Sequence, residues 1–132
     1  VKRLVLDASA AVRLVLGLDD APTIADLLAE ADEVVAPHLF AAEVANALWK
    51  YVRAAHLQEA QALTCLEDAL ALATTTGDDA AIVPEALALA VRYGHPVYDA
   101  LYTVLARRLA CPVLTRDRRL AGLLAELRLD AC

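Results

Sequence analysis

Short, unbroken apolar runs alternate along this chain with longer stretches in which apolar residues recur every third or fourth position. The first run, Leu4-Val5-Leu6, predicts a strand and stops at Asp7. From Ser9 to Leu16 an Ala/Val/Leu-rich stretch has helical spacing, and Gly17 closes it, since glycine readily takes the left-handed conformation of a helix end. Pro22 suits a first helical turn and opens a second amphipathic segment through Ala31. Glu33-Val34-Val35-Ala36-Pro37 then predicts a brief buried strand stopped by proline. From Leu39 to Ala55 the positions Phe40, Val44, Ala47, Leu48, Tyr51 and Val52 trace one helical face, on a long helix that also carries Glu43 and Asn46. A further helix is predicted from Gln58 to Ala73.

Thr74-Thr75-Thr76 is β-branched and is followed by Gly77-Asp78-Asp79, so a weak strand and a turn are expected there. Helical spacing resumes from Pro84 to Tyr93 and ends at Gly94. Pro96 restarts a helix that runs to about Ala110 and places Asp99 in or just before its first turn. Cys111-Pro112-Val113-Leu114-Thr115 predicts another strand, Arg116-Asp117 leads into a last helix to about Leu127, and Leu129 to Cys132 forms an edge strand. Continuously apolar strands that alternate with helices imply a parallel sheet covered on both faces; a half-exposed sheet would show period-two polarity. The expectation is one α/β domain over residues 1–132, a three-layer α/β/α sandwich with a parallel central sheet. Ligands in such sheets gather beyond the carboxyl ends of the strands, where Asp7 and Asp117 both fall.

Composition narrows the chemistry. Hydrophobic residues make up 60% of the 132, yet charged residues interrupt every apolar stretch before it reaches the roughly 18 needed to cross a bilayer, so a soluble protein without membrane contact is expected. The opening residues run directly into a strand-like segment without the pattern of an export signal, so no export is expected. Three cysteines, Cys65, Cys111 and Cys132, have no C-x-x-C spacing and point to a reducing cytoplasm, not to a disulfide framework or a zinc site. His38, His56 and His95 are equally dispersed. Glycine occurs only at Gly17, Gly77, Gly94 and Gly122, so neither a P-loop nor a dinucleotide turn can be written. The only lysines, Lys2 and Lys50, are misplaced for a phosphoacceptor domain, and Ser9 stands where an Asp-phosphorylated phosphatase would need a second Asp. A net charge of −6 requires any nucleic-acid contact to rest on a local basic patch or on bound cations.

Eighteen acidic residues make number alone uninformative, but four stand out by position. Asp7 terminates a buried strand, Asp117 lies just past another, Asp99 opens a helix, and Glu43 interrupts an apolar helical stretch. Each also has an ordinary explanation as a helix cap, a first-turn acid or a surface residue. Those explanations do not account for four acids converging on one sheet edge, where two carboxylates ~5 Å apart repel by ~3 kcal/mol at an effective dielectric of 20. A hard divalent cation removes that cost. Carboxylate and water ligation suits Mg²⁺ or Mn²⁺, which can activate water and stabilise charge on a phosphate, so phosphodiester hydrolysis is the chemistry suggested.

The segments Leu4-Val5-Leu6-Asp7-Ala8-Ser9, Ala42-Glu43-Val44-Ala45-Asn46-Ala47-Leu48, Val97-Tyr98-Asp99-Ala100-Leu101-Tyr102 and Leu114-Thr115-Arg116-Asp117-Arg118-Arg119-Leu120 resemble, in order and separation, the four acidic motifs of PIN domains. Within that family the chain resembles VapC-type toxins of toxin–antitoxin modules, which are likewise single short PIN domains. The resemblance implies a metal-dependent ribonuclease in which Asp7, Asp99 and Asp117 coordinate the principal metal. Glu43 would bind through water, complete a second site or position the attacking water, while Ser9, Asn46 and Thr115 would orient carboxylates or waters. It also implies a homodimer and an antitoxin partner whose tail covers the site. The region from Thr74 to Asp79 departs from the family pattern, lacking the usual aliphatic run. Arg116, Arg118 and Arg119 flank Asp117 and read either as phosphate contacts for RNA or as a solvated face pairing the acids. A non-toxin PIN nuclease for RNA processing, or a PIN fold kept as a binding module, is the alternative.

Overall fold

Successive residues of the first apolar run face opposite layers. Val5 packs in one core and Leu4 and Leu6 in the other, because side chains along a strand alternate between the faces of its sheet. In the computed structural model, which describes residues 1–76 and 78–132, this run is β1 (Arg3–Leu6). It is followed by α1 (Ala8–Val15), α2 (Ala21–Ala29), β2 (Glu33–Ala36), α3 (Leu39–Arg53), α4 (Glu59–Leu70), β3 (Thr74–Thr75), α5 (Asp79–Tyr93), α6 (Val97–Leu109), β4 (Val113–Leu114) and α7 (Arg118–Glu126). The strands lie in the order β3-β2-β1-β4, and every pairing is parallel.

Val5, Val35 and Val113 meet α5, α6 and α7 on one face, while Leu4, Leu6, Ala36 and Leu114 meet α1 to α4 on the other. This is the three-layer α/β/α arrangement that the uninterrupted apolar strands predicted. β1 is the hub. β2 and β3 extend the sheet to one side and β4 to the other, so the order reverses between β1 and β4, and a crevice opens beyond their carboxyl ends. Helix α6 packs so closely that every residue from Asp99 to Ala106 is buried. Its exposed ends and its polar members, Asp99 and Thr103, are the exceptions in an otherwise apolar cylinder, and the Thr103 hydroxyl is satisfied by the Asp99 carbonyl at 3.0 Å. Among the described residues no helix is long and apolar enough to cross a membrane.

Several boundaries differ from expectation. Helix α5 begins at Asp79, not at Pro84, because Asp78 caps it by accepting from the Ala80 amide at 2.9 Å. Pro84 then sits inside the helix on its exposed side, where the carbonyl it leaves unpaired can reach water. The expected turn over Gly77-Asp78-Asp79 lies outside the described residues at Gly77, and its two aspartates are helix-terminal instead. The strand expected over Cys111–Thr115 is confined to Val113–Leu114. Leu129 to Cys132 forms a single parallel bridge, Val113 to Ala131, with the Cys132 amide donating to the Val113 carbonyl at 2.9 Å. Thr74 and Thr75 are exposed on the sheet edge, which explains why that strand lacks an aliphatic run. Gly94 closes α5 in the left-handed conformation, φ 70°, as its position suggested.

One long-range contact fixes α3. The Asp79 carboxylate accepts from the His38 amide at 2.8 Å and the Leu39 amide at 2.9 Å, so the first residue of α5 caps the start of α3 from 40 residues away. Orphan amides at a helix start are satisfied most strongly by a charged acceptor. Asp79→Ala is expected to lower stability by about 1–2 kcal/mol in urea unfolding, with Asp79→Asn recovering part of the loss. A midpoint unchanged by Asp79→Ala would show that water caps this helix equally well.

Candidate active site

Asp7 follows β1 directly and enters the crevice on a strand end that cannot shift. Its amide donates to the Leu114 carbonyl of β4 at 3.0 Å. It occupies the position before α1, yet its carboxylate makes no capping hydrogen bond to that helix. Two hydroxyls hold it instead: Ser9 Oγ donates to Oδ2 at 2.5 Å and Thr115 Oγ1 donates to the same oxygen at 2.8 Å. Each hydroxyl is oriented by an amide on its acceptor side, Ser9 Oγ by Arg116 N at 2.9 Å and Thr115 Oγ1 by Asp117 N at 3.0 Å. A hydroxyl that accepts from an amide has its proton free to donate, so both are committed to Asp7. Ser9 is therefore no plain helix cap.

Asp117 begins α7 and does serve as a cap. Its Oδ1 accepts from Arg119 N at 2.8 Å and Leu120 N at 3.4 Å, leaving Oδ2 with no protein donor among the described residues. Asp99 is the third residue of α6 and is buried. Its Oδ2 has no hydrogen-bond partner, although His95 Nδ1 stands at 4.0 Å and Arg119 Nε at 3.7 Å. Glu43 projects from α3, and its Oε1 is buried without a partner as well. Asn46, one turn further along α3, lines the same cleft and bonds to none of the acids in this structure. The four predicted acids line one cleft of about 580 Å³, together with Ser9 and Asn46. Its volume is that of a small-ligand site.

The electrostatics follow from this convergence. Burial raises the Asp7 carboxyl above its ordinary range against the two hydroxyls that lower it, and Asp117 raises it further. Burial likewise raises Glu43, opposed by the Tyr102 hydroxyl and reinforced by Asp7, Asp99 and Asp117. Asp99 is raised by burial first and then by Asp117, against Arg119. Three carboxyls thus share one unfavourable setting: each loses water and faces neighbours of the same sign. The orphaned Glu43 and Asp99 oxygens are suitable acceptors for a hydrated divalent cation. Among the described residues no three His, Cys, Asp or Glu side chains are drawn tightly around a point as in a closed metal cage.

The arginines divide. Arg116 turns away from the cleft: its Nε donates to Asp20 Oδ2 at 2.9 Å, and its Nη1 donates to the Thr115 and Cys132 carbonyls at 2.9 and 3.0 Å. Its guanidinium staples β4 to the chain end and to the segment before α2, a structural use that sequence adjacency to Asp117 does not reveal. Arg119 is exposed near Asp99, and Arg118 is exposed with no ion-pair partner among the described residues. Tyr102 was missed by sequence reasoning. It is one turn beyond Asp99 on α6, is almost fully buried, and its hydroxyl lies beneath Glu43, whose charge together with burial pushes the phenol far upward.

The PIN domain family model matches residues 4–123 of this chain. Ribonuclease VapC3 of Pyrobaculum aerophilum is 36% identical over 121 residues, covering 90% of this chain and 92% of that protein. Ribonuclease VapC1 of Mycobacterium tuberculosis is 35% identical over 130 residues, covering 95% and 96%. Among solved structures, the crystal structure of PAE2754 from Pyrobaculum aerophilum superposes with a TM-score of 0.75 at 27% identity, covering 92% of this chain and 86% of that one.

The repulsion among these carboxyls sets a sign for mutation. In chelator, Asp99→Asn is expected to raise Tm by a few degrees, on the order of 1 kcal/mol, because it removes a buried charge facing others of its sign. A raised folded-state pKa means that the stability contributed by this group is complete below its ordinary value and is lost as pH rises through the raised one. The advantage of the variant over the wild type should therefore be larger at pH 7 than near pH 4. Thermal melts with and without Mn²⁺ complete the test, since the wild type should gain more from the metal than the variant. A metal-free variant less stable than the wild type would mean that Asp99 is a simple helix-start acid.

Proposed function

This chain belongs to the PIN-domain family, and on that premise we propose that it is a metal-dependent endoribonuclease, the toxin component of a type II toxin–antitoxin system. The observation that carries the proposal is the convergence of Asp7, Glu43, Asp99 and Asp117 on one cleft, with buried Glu43 and Asp99 oxygens left unsatisfied. The relatives named as VapC ribonucleases, each matched over nine-tenths or more of its length, supply the substrate class. In this reading residues 1–132 form one PIN domain. It acts as a homodimer in the cytoplasm, alongside an antitoxin protein that covers the cleft. Three unpaired cysteines support the reducing compartment.

Asp7, Asp99 and Asp117 would hold Mg²⁺ or Mn²⁺, with Glu43 reached through water. The ion supplies charge neutralisation at the reacting phosphate and lowers the pKa of a bound water. The chain contributes position. Ser9 and Thr115 fix Oδ2 of Asp7 and leave Oδ1 without a protein donor among the described residues, while the α7 amides fix Oδ1 of Asp117 and leave its Oδ2 likewise. Glu43, which lines the cleft and has an oxygen with no partner among the described residues, would orient the attacking water. Water oxygen bonds to phosphorus as the bond to the 3′-oxygen breaks, so the products carry a 5′-phosphate and a 3′-hydroxyl.

Purified protein should cleave RNA in Mn²⁺ or Mg²⁺ and stop in excess chelator, and Asp7→Asn should lower kcat by at least a hundredfold, roughly the effect of losing a charge-stabilising group at a reacting centre. Undiminished cleavage in chelator would sink the metal assignment. Expression of the chain alone should arrest growth of a bacterial host, with Asp7→Asn relieving the arrest. Normal growth despite active nuclease would assign the chain to RNA processing instead.

A further inference from the structure

A polyanion entering this cleft meets four carboxylates in a chain whose net charge is −6. A bound cation compensates at the reacting phosphate, but the flanking phosphates need a partner of their own. Lys50 is the one cationic side chain among the described residues that line the cleft. It lies on the same stripe of α3 as Glu43 and Asn46, seven residues beyond Glu43, or about 10 Å along the helix axis. It forms no ion pair among the described residues, whereas Arg116 is locked to Asp20 and Arg119 is turned towards Asp99. From α6, Tyr98, the residue before Asp99, lines the same cleft and is 59% exposed. Among the described residues nothing stacks on its ring. By contrast, the exposed Trp49 ring of α3 is covered by the Arg53 guanidinium at 5.3 Å, and Tyr51 meets His56 edge-on.

We propose that Lys50 and Tyr98 form the two sides of a track for single-stranded RNA, Lys50 holding a backbone phosphate beside the scissile one and Tyr98 stacking an adjacent base. The assignment rests on the ribonuclease reading and adds the two groups of this chain that hold the strand beside the scissile phosphate. A free aromatic face beside the acids serves unpaired bases, because the bases of a duplex are already stacked on one another. Stacking of this kind tolerates any base, so the track sets register along the strand and leaves sequence choice to other contacts.

The test is fluorescence anisotropy of a short, fluorescein-labelled, random-sequence RNA titrated in Ca²⁺ at several salt concentrations, with melting curves to verify folding. Lys50→Gln is expected to weaken binding roughly fivefold and to reduce the slope of log affinity against log salt by about 0.7, the value for one phosphate contact on a single strand. Lys50→Arg should keep the slope. Tyr98→Ala should weaken binding roughly tenfold and Tyr98→Phe by no more than about twofold, since the ring and not the hydroxyl stacks. Annealing the RNA to its complement should lower affinity and remove the Tyr98 effect. In Mn²⁺ cleavage assays the losses should fall on KM. Wild-type affinity and salt slope in Lys50→Gln, wild-type affinity in Tyr98→Ala, a Phe variant as weak as the Ala variant, or a wild type that binds no RNA would overturn the track. Binding with the expected dependences but no cleavage in Mn²⁺ would leave the track standing and remove the ribonuclease reading. Cleavage by a wild type whose variants bind as it does would do the reverse.

Discussion

Asp7 is held through both its backbone and its side chain by groups that belong to β4 and the residues just after it. Its amide bonds to Leu114, and its carboxylate bonds to Thr115 and to Ser9, which is in turn oriented by the Arg116 amide. The pairing of Leu6 with Leu114 is what brings these groups level. Shifting β4 by one residue would send Thr115 to the opposite face of the sheet and carry Asp117 away from the cleft, because side chains alternate along a strand. Much of the surrounding structure secures that register. The Cys132 and Asp130 backbone bonds line the outer side of β4, and Arg116 ties the same strand to Asp20. A two-residue strand is too short to hold its own register, and these ties supply what its length does not.

The same clamp makes an unfavourable group of charges tolerable. Asp7 and Asp99 are buried, Glu43 is partly so, and each carboxyl is raised first by lost hydration and then by its neighbours. Left mobile, these side chains would swing apart into water. They stay together because the apolar layers above and below the sheet fix the elements that carry them: Phe40, Val44 and Leu48 anchor α3, and the fully buried run from Ala100 to Ala106 anchors α6. Hydrophobic burial, which is non-directional, thus supports an electrostatic arrangement that is strictly directional. A cleft that is costly when empty has a high relative affinity for whatever cation relieves it.

Most of the fold was legible in the sequence for one physical reason. Buried parallel strands are apolar throughout, so Leu4-Val5-Leu6 and Val113-Leu114 declare themselves, and the helices between them show their apolar stripes. The convergence of the four acids was legible because Asp7, Asp99 and Asp117 break such a pattern at a strand end or helix start and Glu43 breaks it within a helix, and because their order matches the PIN motifs. What was not legible is non-local. Nothing near Asp79 signals that it caps a helix 40 residues earlier, and Pro84 gave a false helix start because proline is favoured in a first turn while the true cap, Asp78, also has turn propensity. Arg116 read either as a phosphate contact or as pairing an acid; it pairs an acid, but one 96 residues away, Asp20, that nothing near it in the chain indicates. Tyr102 falls on the helical spacing of core residues, and only its position beneath Glu43 distinguishes it.

The disposition of positive charge shows how an acidic protein can manage a polyanion. Seven of its basic side chains, at Lys2, Arg3, Arg13, Arg107, Arg108, Arg116 and Arg119, already face acids in the folded chain. Arg53 lies over Trp49, and Arg92, Arg118 and Arg128 are exposed away from the cleft lining. Long-range attraction is therefore absent, and at physiological salt the net charge of −6 is itself screened beyond about 8 Å. Within that distance, on the proposed reading, the local arrangement decides: a cation held by the acids and Lys50 two turns along α3. An acidic protein so arranged would discriminate against nucleic acid that only brushes its surface and would engage only a strand that can enter the cleft. Low net attraction here acts as a filter for fit, which suits a nuclease whose indiscriminate binding would occupy it on the bulk of cellular RNA.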